Sequence, residues 1–312
     1  LSLLSLLSLL SLLSLLSPCL SPLPSRPSPF SLCAVRMLLP AALTPAGYPA
    51  MQLKLTQVSF DETGLASSLL VPVLESAASP DELIQIAIEN EEFDIYSAQV
   101  WPSSVAAATV LLRALAARTG HVCELGCGPA LPSLAALAAG AERVVATDWS
   151  EYALGLAQHA SSLQLGECGR APSAFTTAKV DVFDPEWPLP VADYYVVADM
   201  LYEADLASAV GRRLTPVLME GATAIVADPF RLAGRGRAAF LEGLQEEGHR
   251  RRWTKVDDVV AKSRFVDETL PKRWRCLTTG ADTCVGVCVL SATKASQDEL
   301  PQGVTTRPDV AQ

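Results

Sequence analysis

The stretch HVCELGCGPAL, His121–Leu131, followed by RVVATDWS, Arg143–Ser150, decides the fold of this chain. A short apolar run ends in Glu124 and Leu125, turns on Gly126 and Gly128, and gives way to a second apolar segment from Leu131. Glycines at such a turn tolerate unusual φ and leave bare backbone that a ligand can approach. The next apolar run closes on Asp148, a carboxylate at a strand tip, where ribose hydroxyls could be held. A glycine-hinged strand-to-helix turn with an acid at this distance points to an adenosine-bearing ligand. The competing reading of the glycines alone is an ordinary tight turn.

Two ligands fit such a turn, a dinucleotide of the NAD type and S-adenosylmethionine. The spacing is Gly126-x-Gly128-x-x-Leu131, so the third glycine of the dinucleotide fingerprint is a leucine. Glu124, just before the first glycine, would repel a pyrophosphate and suit a ligand with a cationic amino-acid end.

Half of the 312 residues are hydrophobic, enough for one sizeable α/β domain with tails. The net charge of −10 argues against a general nucleic-acid binder, because duplex affinity rests on Lys and Arg neutralising phosphates. Eight cysteines are dispersed without a C-x-x-C pair, and His121, His159 and His249 do not approach them in ligand-like spacing. No metal site is expected, and a reduced intracellular compartment is the simpler reading. Cys123, Cys127, Cys284 and Cys288 lie in apolar segments and read as small core residues.

Residues 1–60 read as a low-complexity, disordered leader. Leu-Ser-Leu repeats with a period of three through Ser17, then Pro and Ser dominate to about Pro40. Arg26, Arg36 and Lys54 precede the first acid, Asp61, a balance like that of an organelle transit peptide. An over-extended reading frame is the alternative, with Met37 or Met51 as the start. No stretch makes a convincing membrane span. The polar residues 293–312 read as a disordered tail.

Between these ends strands and helices alternate. Candidate strands are 121–125, 143–147, 178–182, 194–198, 223–227, 253–256 and 283–290. Candidate helices are a segment from Pro102 to before Gly120, then 131–139, 151–164, 204–217 and 236–247. Residues 83–88, LIQIAI, read equally as a strand or a buried helix turn. The alternation specifies a single α/β domain over residues 61–292, a Rossmann-like, doubly wound, mainly parallel sheet with helices on both faces.

In such sheets ligands sit at the carboxyl ends of strands. There the chain places Glu124, Asp148, Asp181, Asp199 and Asp228, an acidic rim expected to surround a ligand carrying hydroxyls, amines and a sulfonium. Val100-Trp101-Pro102, the ELGCGPALPSLAA turn and Ala198-Asp199-Met200-Leu201-Tyr202 together resemble the class I, seven-β-strand S-adenosylmethionine-dependent methyltransferases. More narrowly, they resemble methyltransferase family 16, a protein methyltransferase group with a D-x-x-Y motif. The resemblance covers about residues 93–231.

It implies a seven-stranded sheet and S-adenosylmethionine as cofactor. Gly126, Cys127 and Gly128 would pass under the methionine part, with Glu124 helping to hold it. Asp148 would bind the ribose hydroxyls, Trp149 would flank the adenine, and Asp181 and Val182 would lie near its ring edge. Trp101 would either close over the cofactor or pack on the sheet. Asp199 and Tyr202 would stand beside the methyl acceptor as the catalytic pair, with Asp199 also counted among the cofactor-binding residues.

The implied activity is methyl transfer to a protein side-chain nitrogen, lysine first, on a substrate protein of unknown identity. Arginine-directed and small-molecule N-methyltransferases are the near alternatives. An NAD-dependent oxidoreductase and an inactive binding module of the same fold are the distant ones. Asp228-Pro229-Phe230-Arg231 is similar to the Asp-Pro-x-Arg turn of the lysine methyltransferase branch acting on the electron transfer flavoprotein β subunit. Phe230 and Glu124 depart from that branch. The implied location is the cytoplasm, or a plastid or mitochondrion if the leader is a transit peptide. Arg250, Arg251 and Arg252 read as a solvated face.

Overall fold

A computed structural model describes residues 36–38, 52–60, 63, 68–89, 94–230, 234–268 and 285–292. Most of the expected leader, the expected tail, Arg231, Cys284 and the start of the last expected strand lie outside the described residues.

Seven strands build the main sheet: β4 His121–Leu125, β5 Arg143–Asp148, β6 Phe175–Lys179, β7 Tyr194–Ala198, β8 Thr223–Asp228, β9 Val266–Glu268 and β10 Val285–Ser291. Their order across the sheet is β6-β5-β4-β7-β8-β10-β9. Neighbours from β6 to β8 pair in parallel, while β10 runs antiparallel to both β8 and β9. The order reverses beside β4, because the chain steps outward through β5 and β6 and then returns to lay β7 on the other side. That reversal opens a crevice above the carboxyl ends of β4 and β7.

Strand residues alternate between two buried layers, as a sheet covered on both faces requires. Val122, Val144, Val196 and Ile225 join the layer of helices α2 Pro102–Ala117, α3 Leu131–Ala138 and α4 Glu151–Cys168. Cys123, Leu125, Val197 and Val226 join the opposite layer, formed by α5 Ala204–Met219, α6 Arg235–Arg250 and α7 Val256–Lys262. The α5–α6 crossing is close because two glycines meet it. A Cβ on Gly211 would lie 2.2 Å from the Phe240 carbonyl oxygen, and one on Gly243 would lie 2.2 Å from that of Ser208.

Three sequence expectations change here. Residues 52–60, placed in the leader by composition, form strand β2 Gln52–Phe60, which pairs antiparallel with β1 Arg36–Leu38 and β3 Leu69–Ser76. Val58 and Phe60, two positions apart, are both buried, so this end of the strand presents one covered face despite the low-complexity sequence before it.

The expected strand 178–182 lies earlier, at 175–179, because a 3-10 turn at Pro172–Ala174 delivers Phe175 directly opposite Val144. Val180 still donates its N–H to the Asp148 carbonyl at 3.0 Å, and Asp181 and Val182 fall just past the strand end.

Residues 253–256 are not a strand. The Trp253 N–H donates to the Gly248 carbonyl at 2.8 Å, and Val256 starts α7. Trp253, Val256 and Val259 are buried at a spacing of three, which is a helical repeat. The strand that occupies this place in the order is β9. The ambiguous segment 83–88 belongs to helix α1, Pro80–Glu89. Ser79 and Glu82 form a capping box there: the Glu82 N–H donates to Ser79 Oγ, and the Ser79 N–H donates to Glu82 Oε2 at 2.7 Å.

Candidate functional site

The crevice is built first from backbone. After β4 the chain turns through Gly126 at φ 62° and Gly128 at φ 48°, conformations that residues with a Cβ rarely adopt. Gly126 is also needed for space, since a Cβ there would lie 2.3 Å from Met200 Sδ. The turn is tied to the neighbouring strand: the Cys127 N–H donates to the Thr147 carbonyl and the Gly128 N–H donates to Asp148 Oδ2, each at 2.9 Å.

Asp148 terminates β5 with both carboxylate oxygens engaged, since Oδ1 accepts the Ser150 N–H at 2.9 Å. Each oxygen keeps a second lone pair for a ligand hydroxyl. Burial raises its pKa to about 6 against the lowering effect of these backbone donors, and the nearby Asp94 carboxylate raises it further. It is therefore mostly ionised at neutral pH. Asp94 caps the short 3-10 helix Ile95–Ala98 by accepting the Tyr96 N–H at 2.9 Å. It also accepts a hydrogen bond from the Trp149 side chain, while burial raises its own pKa.

Across the crevice, Asp199 follows β7 at φ 60°, the left-handed region that aspartate enters more readily than most residues. Two bonds fix it there. Its N–H donates to the Ala227 carbonyl at 3.0 Å, and its Oδ2 accepts from Ser103 Oγ at 3.3 Å. Tyr202 lies one turn on. Burial lifts its phenol to about 12, with Asp94, Glu203 and Asp148 adding to the rise, so the hydroxyl stays protonated at neutral pH. Its ring centroid is 5.7 Å from that of Tyr96, whose ring is 6.0 Å from that of Trp101. The Trp101 indole N–H donates to the Tyr96 carbonyl at 2.8 Å, so Trp101 joins the crevice wall.

The crevice consists of two adjoining hollows of about 520 and 810 Å³, measured out to open solvent, which share Gly126, Trp149, Met200 and Tyr202. Gly126, Cys127, Gly128, Asp148, Trp101, Asp199 and Tyr202 line the first, and Trp149, Asp181 and Val182 line the second. The sequence-read residues are thus brought together, with two exceptions among the rim acids.

Glu124 is 1 % exposed and faces away from the crevice. Its Oε2 accepts the Ser133 N–H at 2.9 Å and the Ser133 hydroxyl at 2.5 Å, so it serves the first turn of α3. Burial raises its pKa to about 8, leaving it largely neutral at pH 7. The sequence argument that Glu124 repels a pyrophosphate therefore fails.

Asp228 is the second exception. Its Oδ2 accepts from Arg237 Nε at 2.6 Å, and Arg237 stacks between the Phe230 and Phe265 rings. The pair stands outside the crevice lining. Arg250 and Arg251 likewise both bond Glu247, which makes them local partners at the end of α6.

Among the lining residues to which the sequence reading gave no role are Asp94, Tyr96, Phe183 and Glu203. Asp94-x-Tyr96 carries a local capping signal, but nothing in its spacing reports that it crosses to Asp148. With these added, the lining holds five carboxylates, from Asp94, Asp148, Asp181, Asp199 and Glu203. It also holds five aromatic rings, from Tyr96, Trp101, Trp149, Phe183 and Tyr202, and, among the described residues, no Lys, Arg or His. Among the described residues no group of three His, Cys, Asp or Glu is arranged to hold a metal ion, and no helix is long and apolar enough to cross a membrane.

No family model matches the chain, and no curated protein matches it. Solved structures that resemble it share low identity. A ribosomal protein L11 methylase from Lactobacillus delbrueckii subsp. bulgaricus is 17 % identical with a TM-score of 0.40, over 60 % of this chain and 77 % of its own. The N-methyltransferase NodS from Bradyrhizobium japonicum WM9, in complex with S-adenosyl-L-homocysteine, is 17 % identical with a TM-score of 0.40, over 65 % of this chain and 95 % of its own. A TehB-like S-adenosylmethionine-dependent methyltransferase from Corynebacterium glutamicum is 17 % identical with a TM-score of 0.37, over 68 % and 99 %.

Proposed function

We propose that this chain is an S-adenosylmethionine-dependent methyltransferase that acts on a protein side-chain nitrogen, lysine first. The observation that carries the reading is the crevice at the strand-order reversal, lined by five carboxylates and five aromatic rings and, among the described residues, by no cationic side chain. A pyrophosphate or a phosphate backbone would enter such a site uncompensated, which disfavours a dinucleotide oxidoreductase and a nucleic-acid substrate. A sulfonium cofactor and an amine acceptor carry the complementary charge.

The residues present fit that cofactor. The Gly126–Gly128 turn leaves backbone without a Cβ where the methionine part would pass, and Asp148 keeps lone pairs for ribose hydroxyls. Trp149, 49 % exposed and oriented by Asp94, offers a face for the adenine, with Val182 and Asp181 beside it. The cofactor supplies a methyl group on a positively charged sulfur.

The chain supplies aim. Asp199 and the protonated Tyr202 offer acceptors for amine N–H groups from one wall, which holds the nitrogen lone pair toward the methyl group. Such alignment accounts for much of the acceleration of a displacement reaction, on the order of several kcal/mol. A lysine ammonium, with a reference pKa of about 10.4, must first give up a proton, to a carboxylate or to water at the open mouth. Asp199 is built for this fixed role, since an acid at positive φ and 8 % exposure is costly to keep for packing alone.

The domain is proposed to run from β2 to β10. Cys123, Cys127 and Cys288 are free and buried, which fits a reducing intracellular setting, the cytoplasm or, with a transit peptide, an organelle. The test is incubation with methyl-labelled S-adenosylmethionine and a cell extract, followed by identification of the labelled band and residue. Label on a protein lysine is expected. Label confined to small molecules ends the protein-substrate reading, and absence of any label with cofactor bound leaves a binding module.

A further inference from the structure

We propose that Tyr96, Trp101 and Tyr202 form an aromatic cage that holds the acceptor as an alkylammonium cation, and that Tyr96 is the ring that determines this selectivity. The inference rests on the methyltransferase reading above and names the chemistry of its acceptor subsite.

Tyr96 is the middle ring, 6.0 Å from Trp101 and 5.7 Å from Tyr202 by centroid, with interplanar tilts of 46° and 35°. Tilted rings around a shared hollow present negative π-faces from several directions, which is what a compact cation requires. All three line the same hollow as Asp94 and Asp199. Simple packing does not account for the arrangement. The Tyr96 residue is 52 % exposed, whereas an aromatic retained for the core would be covered.

The backbone fixes the ring's position. The Tyr96 N–H is held by Asp94 and its carbonyl by the Trp101 indole, so the backbone that carries the ring is anchored at the crevice wall.

The charge distribution reinforces this reading. Carboxylates at Asp94, Glu203 and Asp148 are felt at the Tyr202 hydroxyl, where they oppose its ionisation. Among the described residues the lining contains no Lys, Arg or His to neutralise them. The sequence that supplies this wall is acidic throughout: from Leu55 to Leu112 there are nine Asp and Glu residues and no Lys or Arg. A cation is attracted to the mouth from a distance and meets the rings within it.

The experiment uses choline as the ammonium probe and 3,3-dimethyl-1-butanol, in which carbon replaces its charged nitrogen, as the neutral isostere. Binding is measured by calorimetry on the full chain, with and without saturating S-adenosylhomocysteine. The wild type should bind the ammonium at least about five-fold more tightly than the alcohol. Tyr96→Ala should weaken ammonium binding by about three- to ten-fold in the arm without S-adenosylhomocysteine, and Tyr96→Phe should retain ammonium binding within about two-fold.

Equal affinity for the two probes, or an unchanged ammonium affinity in Tyr96→Ala, overturns the cage. Loss in Tyr96→Phe equal to that in Tyr96→Ala overturns the ring-face argument and assigns recognition to the hydroxyl. Failure of S-adenosylhomocysteine to bind the wild type counts against the cofactor reading, while the arm without it still decides the cage.

Discussion

Asp148 at the end of β5 accepts the backbone N–H of Gly128 at 2.9 Å, so the acid and the glycine turn, twenty positions apart in sequence, form one rigid unit. The same carboxylate holds the Ser150 N–H through its other oxygen. One side chain therefore shapes the turn, starts the following helix and presents lone pairs to the crevice.

Asp148→Ala should lose stability as well as ligand affinity. It leaves two buried N–H groups without an acceptor, at a cost of about 1–3 kcal/mol for each that water does not reach. Chemical denaturation should show a loss of about 2–4 kcal/mol, and calorimetry should show at least a ten-fold weaker S-adenosylhomocysteine complex. A variant as stable as the wild type would remove the linkage described here.

Cofactor affinity should depend on pH through the same group. Ribose hydroxyls donate to the ionised carboxylate, whose pKa in the free protein is about 6. Affinity should be flat above that pH and fall toward a slope of about ten-fold per pH unit below it, as for any single coupled proton. Asp148→Asn should flatten the profile as well as lowering affinity. An unchanged slope in that variant would assign the titration to another group.

Glu124 makes the opposite kind of prediction, on stability instead of binding. Its pKa is about 8 in the folded chain against an ordinary 4.5, so between these values the folded state binds more protons than the unfolded one. Stability should then fall as pH rises through this window, with the full penalty reached above pH 8. Glu124→Gln retains an acceptor for Ser133 and does not ionise. Its Tm should vary less than that of the wild type between pH 6 and 8, as read by scanning calorimetry; parallel curves would contradict this account.

Gly243→Ala tests the helix crossing. The added methyl would sit 2.2 Å from the Ser208 carbonyl oxygen, a backbone atom that cannot move alone. Overpacking of this kind costs about 1–3 kcal/mol. Denaturant unfolding should show that loss, and any effect on cofactor affinity should be no more than about two-fold, because the crossing lies outside the crevice lining.

Asp199→Ala and Tyr202→Phe test the acceptor wall. Turnover of a lysine-containing protein acceptor should drop by at least about 100-fold in the first and less in the second, with S-adenosylhomocysteine affinity within a few-fold of wild type. Undiminished turnover in Asp199→Ala would remove it from the reacting site.

Much of this architecture was readable from local pattern. The apolar alternation at 121–125, 143–147 and 194–198 specified strands because each face of a covered sheet must be filled. Gly126 and Gly128 marked the turn because few other residues enter positive φ. Where the pattern misled, a local signal competed with a distant one: Val180 and Val182 suggested a strand, but pairing to Val144 placed β6 at Phe175. Trp253 and Val256 matched a strand in composition and a helix in spacing.

Sequence alone determined the order of elements, the glycine turn and the series of acids at strand ends, because these follow from side-chain period and backbone freedom within short windows. Only tertiary structure decided which acids act together. Glu124 was committed to the helix behind it and Asp228 to Arg237, whereas Asp94, on the segment between α1 and α2, was brought to Asp148 and Trp149. The physical reason is that a carboxylate's role depends on the donors and charges it meets after folding. Ser133 and Arg237 lie nine positions beyond their acids, on the helices that follow, whereas Asp94 meets Asp148 and Trp149 because the fold carries its segment to the strand-order reversal.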